Sequence, residues 1–247
     1  MIRHIEFANI HNFRDVGGYV AHDGRSVRWQ RLYRADSLSW LAGPDLDTFR
    51  ALKVRTVIDL RHPSEVERRG RVPEAEGLRY HNLPVEGRKW DLDTFDPSTG
   101  VERFLADRYL EVSEDGVPLL RSAIETIADA DNAPVVIHCA AGKDRTGILI
   151  ALVLSLAGVS PTDIVADYAL TALATPRFVA DWQTKHRDSL MWAGFGAAPA
   201  GAMTIFLAEM ERRHGSLPQY CSNVLEVEPE TVTKLRAHLL TEEISRG

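Results

Sequence analysis

One stretch of the chain runs from a β-branched apolar segment, Val135–His138, into a cysteine and then a charged, glycine-containing turn that ends at Gly147. The apolar segment 148–159 follows without a break. A short β-branched run is typical of a buried strand, and a longer apolar run is typical of a buried helix. The sequence therefore predicts a strand, a loop and a helix in that order, with the charged turn at the helix N-terminus.

Similar segments recur along the rest of the chain. Further strands are predicted at residues 31–35, 54–60 and 78–85, and helices at 44–52, 101–112 and 117–130. Strands that alternate with helices indicate an α/β fold with a mostly parallel central sheet flanked by helices. The 247 residues, 45% of them hydrophobic, can form one sizeable core, and no repeat or low-complexity tract marks a linker. We therefore expect a single domain over residues 1–247.

The part of the chain after Gly158 is predicted to be mainly helical. The segment 160–163 reads Ser-Pro-Thr-Asp, which combines an N-cap residue, a proline at the first helical position and an acidic residue in the first turn. Thr175-Pro176 is a second start of this kind, and a last helix is expected at 228–240. The Gly/Ala/Pro segment 194–201 should join two helices. We expect residues from about 160 to 215 to form a helical cover over one end of the sheet.

Composition and charge exclude several classes of function. The chain has 29 Lys and Arg against 35 Asp and Glu, a net charge of -6, which argues against binding to nucleic acid or an anionic membrane. Its longest apolar run is too short for a bilayer, which needs about 20 residues, so no membrane span is expected. The N-terminus lacks the features of a secretory signal.

The cysteines and histidines argue for a reducing compartment and against a metal site. Two cysteines, Cys139 and Cys221, are too few for a disulfide scaffold, so a cytoplasmic location is expected. Cys221 is predicted to be an ordinary core or surface thiol. The nine histidines show no HxxxH spacing and the chain has no CxxC. We therefore predict no metal and no other cofactor.

The loop that begins at Cys139 has the properties of an anion-binding site. Backbone N–H groups gather at a helix N-terminus, and the helix dipole favours negative charge there. Gly142 permits the tight backbone path that such a loop needs, and Arg145 supplies a planar fork for two phosphoryl oxygens. The predicted phosphate-binding residues are Ala140, Ala141, Gly142, Lys143, Asp144 and Arg145. The same positive environment would hold the sulfur of Cys139 as a nucleophilic thiolate.

Two residues beside this loop are expected to support it. Thr146 could donate its hydroxyl to the sulfur of Cys139 and so help the sulfur to leave. His138 points to the other face of its strand and should fix the loop by hydrogen bonding.

These residues resemble a known family. The run from His138 to Gly147 resembles the HCxxxxxR pattern of the cysteine-dependent phosphatases and, more narrowly, the HCxxGKDRTG loop of a bacterial tyrosine-phosphatase family. The segments 12–18, 32–36 and 59–61, the last together with Glu65, also match that family. The resemblance extends from about residue 9 to residue 160.

The resemblance implies a fold and a reaction. It implies a cysteine-dependent phosphatase fold and a metal-independent, two-step hydrolysis of phosphate monoesters. Cys139 would attack phosphorus, a carboxylic acid would protonate the leaving oxygen, and water would cleave the phosphocysteine. The substrate would be phosphotyrosine in a protein, with dual specificity possible. A phosphoinositide is the alternative, because the cations of Lys143 and Arg145 suit a headgroup with several phosphates.

The general acid is left open between Asp144 and Asp59. Many relatives carry this acid on a Trp-Pro-Asp loop, and the sequence contains no such tripeptide. Asp59 ends a predicted strand at the edge of the sheet where ligands bind. Asp144 lies inside the loop, but Lys143 and Arg145 favour its ionised form, which makes it the poorer acid. Related phosphatases place an acid in the loop, and Asp144 is slightly preferred for that reason.

Other charged residues have both structural and functional interpretations. Asn12, Arg14 and Asp15 could form a turn that buttresses the site. Arg61 could serve the site or simply pair with Glu65 at i and i+4. A basic cluster could meet a polyanionic substrate or form a solvated face; its members are Arg68, Arg69 and Arg71.

Two other classes of function also use such a loop. A rhodanese-type sulfurtransferase carries a cysteine loop before a helix, but its loop is typically shorter than the six steps from Cys139 to Arg145. A non-catalytic phosphate-binding module would commonly have lost the nucleophile, the arginine or the acid, and all three types are present here.

Overall fold

The strand Val135–His138 occupies the centre of a five-stranded sheet in the computed structural model, which describes residues 2–88, 90, 95–185, 191–192 and 194–242. The strands are β1 (Arg14–Asp15), β2 (Leu32–Ala35), β3 (Thr56–Asp59), β4 (Arg79–Asn82) and β5 (Val135–His138). Their order is β1-β2-β5-β3-β4, and only the β1–β2 pair is antiparallel. The predicted α/β fold with a mostly parallel sheet is confirmed.

The two faces of the sheet belong to separate hydrophobic clusters. Val135 and Ile137 of β5 pack into the larger cluster, whereas Val136 between them packs into the smaller one beside Tyr33 and Val57. Alternate side chains of a strand point to opposite faces, so a continuous apolar run is what a strand covered on both sides requires. This burial on both faces explains why β5 has no exposed residue.

Ten helices surround the sheet within the described part of the chain. They are α1 (Pro44–Ala51), α2 (Pro63–Arg69), α3 (Val101–Asp115), α4 (Val117–Ala128), α5 (Asp144–Ala157), α6 (Pro161–Ala169), α7 (Thr175–Lys185), α8 (Ala200–His214), α9 (Leu217–Asn223) and α10 (Pro229–Leu239). Helix α5 is buried along almost its whole length. No described helix is both long enough and apolar enough to cross a bilayer.

The strands and helices differ from their predicted bounds mainly at their ends. Strand β4 stops at Asn82 because β3, its one neighbour in the described sheet, ends at Asp59; Leu83 still donates a hydrogen bond to the Asp59 carbonyl at 2.9 Å. Helix α3 continues to Asp115, three residues beyond the predicted end, and Gly116 terminates it. Strand β3 covers only Thr56–Asp59 of the predicted segment 54–60.

The helices after Gly158 lie close to the loop that follows β5. The hydroxyl of Ser160 accepts a hydrogen bond from the Asp163 amide at 3.1 Å, which confirms the predicted N-cap of α6. Helix α6 packs against α5 and α8, and α8 packs against α3. Lys143 in the loop donates a hydrogen bond to the carbonyl of Ala197, which precedes α8, at 2.9 Å. These contacts support the proposal that residues 160–215 cover this end of the sheet.

Gly142 allows the loop after β5 to pack against the end of β2. Its φ of +63° lies in the left-handed region, and a Cβ atom at this position would lie 2.3 Å from the carbonyl oxygen of Ala35. A side chain here would therefore meet both an unfavourable backbone conformation and a backbone atom that cannot move freely.

Substitution Gly142→Ala should lower the free energy of unfolding by more than the positive φ at this position alone would cause. Gly24 is a matched control, because its φ is +84° and no atom lies within 4 Å of an added Cβ. We expect Gly24→Ala to lower the free energy of unfolding by about 1 kcal/mol, and Gly142→Ala to lower it by roughly 1–3 kcal/mol more because of the overlap. Urea unfolding of both variants measures this difference, and equal losses would show that the loop can move away from β2.

Candidate active site

The loop from Cys139 to Lys143 joins β5 to α5 at the carboxyl end of the parallel strands. Cys139 directly follows β5 and its side chain is buried. Helix α5 begins at Asp144, and its first turn is closed by a 2.7 Å hydrogen bond from the Gly147 amide to the Lys143 carbonyl. The strand–loop–helix order predicted for this stretch is confirmed.

Side chains from the segment before β1 and from β2 hold the loop carbonyls. The amide of Asn12 donates to the carbonyl oxygens of Ala141 at 2.9 Å and of Gly142 at 3.2 Å. Arg34 of β2 donates to the Gly142 carbonyl at 2.7 Å. The C=O and N–H groups of a peptide plane point in opposite directions, so carbonyls tied to Asn12 and Arg34 turn the neighbouring amides away from these side chains. The loop therefore presents amide groups at the N-terminus of α5, where an anion is favoured.

Two buried arginines beneath the loop share one carboxylate. Arg34 lies 2.5 Å from Asp167 of α6, and Arg14 contacts the same carboxylate at 3.5 Å and the Asp167 carbonyl at 2.8 Å. Burial and the neighbouring Arg34 lower the pKa of Arg14 to about 9. Burial acts to raise the pKa of Asp167, but both arginines outweigh it and the pKa is lowered. The cluster joins β1, β2 and α6 directly under the loop.

The guanidinium of Arg145 is held by two carboxylates. Its Nη1 atom lies 2.6 Å from Oε2 of Glu65 and 3.2 Å from Oε2 of Glu86, and Nη2 donates to Oε1 of Glu65 at 3.3 Å. Burial acts to lower the pKa of Arg145, but Cys139 and the two glutamates outweigh it and the pKa is raised. Arg145 therefore keeps its charge and has a fixed orientation beside the loop.

The possible helical pair of Arg61 and Glu65 is wrong. Glu65 contacts Arg145 instead and also accepts a hydrogen bond from the His62 amide at the start of α2. Arg61 turns back to Asp59, donating from Nε at 2.9 Å and from Nη2 at 2.6 Å. Glu65 pairs with a residue 80 positions away, which spacing along the sequence does not show, and Arg61 pairs with Asp59 only two positions before it.

Asp59 is enclosed by hydrogen-bond donors. Besides Arg61, the hydroxyl of Tyr80 donates to its Oδ2 atom at 2.9 Å, and His138 Nε2 lies 3.5 Å away. Burial acts to raise the pKa of Asp59, but the Arg61 hydrogen bonds and the His138 and Arg61 charges lower it below its usual range. This environment argues against Asp59 as the general acid, because its ionised form is the stabilised one.

Asp144 has a different environment. Its Oδ1 atom accepts a hydrogen bond from the Tyr109 hydroxyl at 2.6 Å and lies 3.3 Å from Lys143 Nζ. The Asp144 side chain is 19% exposed, whereas that of Asp59 is fully buried. Asp144 also lines a cavity of about 530 Å³, and Arg145 and Trp90 line it too. Of the two candidate acids, only Asp144 borders this cavity.

Of the other residues predicted to support the site, His138 contacts the loop, Thr146 lies in the first turn of α5, and Asp15 belongs to a separate turn. His138 contacts the Cys139 carbonyl through Nδ1 at 3.2 Å, and burial lowers the pKa of its ring. The hydroxyl of Thr146 is buried and has no hydrogen-bond partner among the described residues. Asp15 accepts hydrogen bonds from the amides of Gly17 and Gln30, both at 2.7 Å, so it stabilises the turn after β1 and makes no contact with the loop.

The basic cluster and the second cysteine lie outside the loop. Arg68 lines the cavity from α2, whereas Arg71 pairs with Glu74 and stacks on Tyr80, and Arg69 is exposed. Cys221 is buried in α9, and burial raises its pKa to about 12, as expected for a core thiol. Among the residues that the structure describes, no group of three His, Cys, Asp or Glu side chains could hold a metal ion.

Several residues of this site were not identified from the sequence. They are Arg34, Glu86, Tyr109 and Asp167. Arg34 belongs to a segment that resembles the family, and that was the only available signal. The other three belong to no motif that indicates a functional site, and only the tertiary fold brings them to the loop.

Comparison with known proteins gives a consistent result. The model of the tyrosine phosphatase family matches residues 5–241. A Cupriavidus necator protein assigned as a tyrosine-protein phosphatase is 30% identical, covering 96% of this chain and 88% of its own. The triple specificity protein phosphatase PtpB of Mycobacterium tuberculosis is 34% identical, covering 67% of this chain and 68% of its own. An inositol diphosphatase of Oryza sativa subsp. japonica is 26% identical, covering 54% of this chain and 57% of its own.

The family match covers nearly the whole described chain and includes the loop, the strands that hold it and the helices above it. The chain belongs to the tyrosine phosphatase family.

Proposed function

We propose that this phosphatase hydrolyses phosphotyrosine through a phosphocysteine formed on Cys139. The observation that carries the proposal is the grouping of three elements at one end of the sheet. Cys139 opens a loop whose carbonyls are tied back, Arg145 is held beside it by Glu65 and Glu86, and Asp144 lines the adjoining cavity. Together they supply a nucleophile, an anion site and a proton donor.

The first step transfers the phosphoryl group to sulfur. The Cys139 thiolate attacks phosphorus, the S–P bond forms and the bond from phosphorus to the ester oxygen breaks. Asp144 donates its proton to that oxygen, so tyrosine leaves as a neutral phenol. The loop amides and the Arg145 guanidinium stabilise the charge on the three phosphoryl oxygens.

The second step returns the site to its starting state. The ionised Asp144 takes a proton from water, whose oxygen attacks phosphorus as the S–P bond breaks, and inorganic phosphate leaves. The sulfur departs as a thiolate, and Thr146, whose hydroxyl has no other partner among the described residues, is available to donate to it. These residues complete the cycle without a metal or another cofactor.

We assign the general acid to Asp144 and give Asp59 a structural role. Both carboxylate oxygens of Asp59 accept hydrogen bonds, from Arg61 and Tyr80. Asp59 is fully buried and does not line the cavity. Arg61, held by Asp59, also donates to the carbonyl of Gly70 at the C-terminal end of α2 at 2.9 Å, so Asp59 helps to anchor the helix that carries Glu65. Asp59 therefore acts on Arg145 only through the placement of Glu65.

The charges around the cavity favour a substrate with a single phosphate. Among the described residues, three carboxylates line it, from Glu65, Glu86 and Asp144, and two guanidinium groups, from Arg68 and Arg145. Lys143, which would have served a second phosphate, is buried and directed to the Ala197 carbonyl. The aromatic ring of Trp90 provides an apolar wall suited to a tyrosyl ring.

A phosphoinositide remains the second candidate substrate. The guanidinium of Arg68 at the cavity, which has no ion-pair partner within the described part of the chain, supports it, as do the names of two relatives, a triple specificity phosphatase and an inositol diphosphatase. A cytoplasmic location is proposed on the strength of the two free thiols. A sulfurtransferase or a non-catalytic module accounts less well for an acid beside the arginine.

Substitution Cys139→Ser should abolish turnover and preserve binding. A serine hydroxyl fits the same space, but it is not ionised near neutral pH and is a poor nucleophile. We expect hydrolysis of a phosphotyrosine peptide to fall to background while the peptide still binds in a calorimetric titration. Cys221→Ser is the matched control and should keep full activity. Unchanged turnover by Cys139→Ser would refute the phosphocysteine.

Substitution of the two aspartates should separate catalysis from stability. Asp144→Asn should lower kcat by roughly 10²-fold or more and remove the decline of kcat on the basic side of its pH profile, since that decline reports the acid. Asp59→Asn should keep that decline. The opposite pattern would make Asp59 the acid.

Asp59→Asn should instead reduce stability in a pH-dependent way. The folded-state pKa of Asp59 lies below its unfolded value of about 4. Its contribution to stability is therefore present above about pH 4 and is lost as the pH falls through the folded-state pKa. Removing it at pH 7 leaves Arg61 buried without its partner and should cost about 3–5 kcal/mol. Urea unfolding at pH 7 and pH 3 measures this, with a smaller loss expected at pH 3.

The charge balance of the cavity predicts the ranking of substrates. We expect kcat/KM for a phosphotyrosine peptide to exceed that for a phosphoinositide with three ring phosphates by roughly tenfold or more, about 1.4 kcal/mol, because the additional phosphates meet carboxylates. Parallel assays of phosphate release measure the ratio. A ratio below one would assign the site to phosphoinositides.

A further inference from the structure

Two buried tyrosines lie behind Asp144 and have no part in the reaction as written above. The hydroxyl of Tyr109, on α3, lies 2.6 Å from Asp144 Oδ1, and it lies 2.7 Å from the hydroxyl of Tyr168, on α6. Both side chains are almost fully buried, and their rings contact edge to face with centroids 6.1 Å apart. Buried hydroxyl groups are costly to enclose, so a hydrogen-bonded chain that ends on a catalytic carboxylate calls for an explanation.

The direction of this chain follows from the chemistry of its members. An ionised carboxylate only accepts hydrogen bonds, so Tyr109 donates to Asp144. A hydroxyl has one proton to donate, so Tyr168 must then donate to the oxygen of Tyr109. Burial, followed by the Asp144 charge, raises the pKa of both tyrosines above the usual range, and both hydroxyls keep their protons at neutral pH.

The two oxygens of Asp144 are therefore not equivalent. Oδ1 receives Tyr109 and also lies 3.3 Å from Lys143 Nζ. Oδ2 accepts no hydrogen bond from any residue that the structure describes. A proton on Oδ1 would oppose both donors, so the acidic proton belongs on Oδ2.

We propose that Tyr109 and Tyr168 are positioning residues that fix the Asp144 carboxyl group, keep its proton on Oδ2 and stabilise its ionised form after the proton has been given away. This inference rests on the proposed role of Asp144. It adds that the acid is oriented by α3 and α6, two helices that contribute no residue to the phosphate-binding loop. Tyr168 also adjoins Asp167, so α6 supports the loop and the acid from consecutive positions.

Other charged groups also act on Asp144, and they set the background for a test. Lys143, whose Nζ atom lies 3.3 Å from Asp144 Oδ1, carries the opposite charge, and Glu86 interacts with Asp144 as a like charge. None of these groups is altered when a tyrosine hydroxyl is removed. A change in the pH profile of a Tyr→Phe variant would therefore report the loss of the hydroxyl chain.

The test is the pH profile of kcat for Tyr109→Phe. Phenylalanine keeps the ring contacts with Tyr168 and Phe206 and removes only the donor to Asp144. Without this donor the ionised carboxylate is less stable, so the basic-side decline of kcat should move upward by about one pH unit. The loss of orientation should lower kcat more for an aryl phosphate whose leaving phenol is weakly acidic than for one whose phenol is strongly acidic. Only the weakly acidic phenol needs full protonation of its oxygen to leave. KM should stay within about twofold, because the phosphate-binding loop is unchanged.

Two further variants keep the test decisive. Tyr220→Phe also removes a buried hydroxyl, one that donates to the Ser113 carbonyl of α3, and it should leave the pH profile unchanged. Tyr168→Phe keeps the donor to Asp144 and removes only the second hydrogen bond, so its shift should lie between those of the other two. Thermal unfolding of all three variants shows whether each is folded. If the profile of folded Tyr109→Phe coincides with that of Tyr220→Phe, the proposal is overturned.

The same data separate this inference from the proposed function. If Asp144→Asn removes the basic-side decline and Tyr109→Phe does not move it, Asp144 is the acid and the tyrosines do not position it. If Asp144→Asn retains the decline, the assignment of the acid fails first and the role of the tyrosines fails with it.

Discussion

The hydrogen bonds from the side chains of Asn12 and Arg34 to the loop carbonyls are the interactions on which the rest of the site depends. A loop of small residues between a strand and a helix has many conformations, and most of them do not gather amide groups around one point. The Gly142 carbonyl, held by both side chains, leaves one arrangement in which its neighbours face the N-terminus of α5. Arg34 is in turn fixed by Asp167, so the shape of the anion site is decided by a buried ion pair beneath it.

Charge compensation explains how so many ionised groups are tolerated in one region. Arg145, Arg61 and Arg34 are each paired with a carboxylate; Glu65 and Asp167 are distant in sequence from their partners Arg145 and Arg34, and Asp59 lies two residues before Arg61. Buried ion pairs rarely add much stability, but removing one partner is expensive because the other charge remains enclosed. The pairs therefore act mainly to specify geometry. Glu65 and Glu86 orient the guanidinium that meets the phosphate, and α6 supports both the loop and the proposed acid.

The sequence predicted the local parts of this site and missed the long-range ones. The β-branched run, the glycine and the Ser-Pro helix start each favour a local backbone conformation that does not depend on distant residues. For that reason β5, the loop and α6 could be predicted from the sequence. Asp59 was misjudged because its position at a strand end was visible while its pairing with Arg61 was not. The possible Arg61–Glu65 pair failed for the same reason, since Arg145, 80 residues away, competes for the carboxylate. Glu86, Tyr109 and Asp167 belong to no functional motif in the sequence, and only the packing of the fold brings them to the loop.

The central claim is that the loop and Arg145 form an anion site that is arranged before any substrate binds. The most direct measurement is a crystal structure of the protein soaked in tungstate, an oxyanion with the shape of phosphate. We predict tungstate within hydrogen-bonding distance of the amides of residues 140–145 and of the Nε and Nη2 atoms of Arg145, next to the sulfur of Cys139, with the Asn12 and Arg34 contacts unchanged. Tungstate bound elsewhere, or a loop whose carbonyls turn toward the anion, would contradict the account.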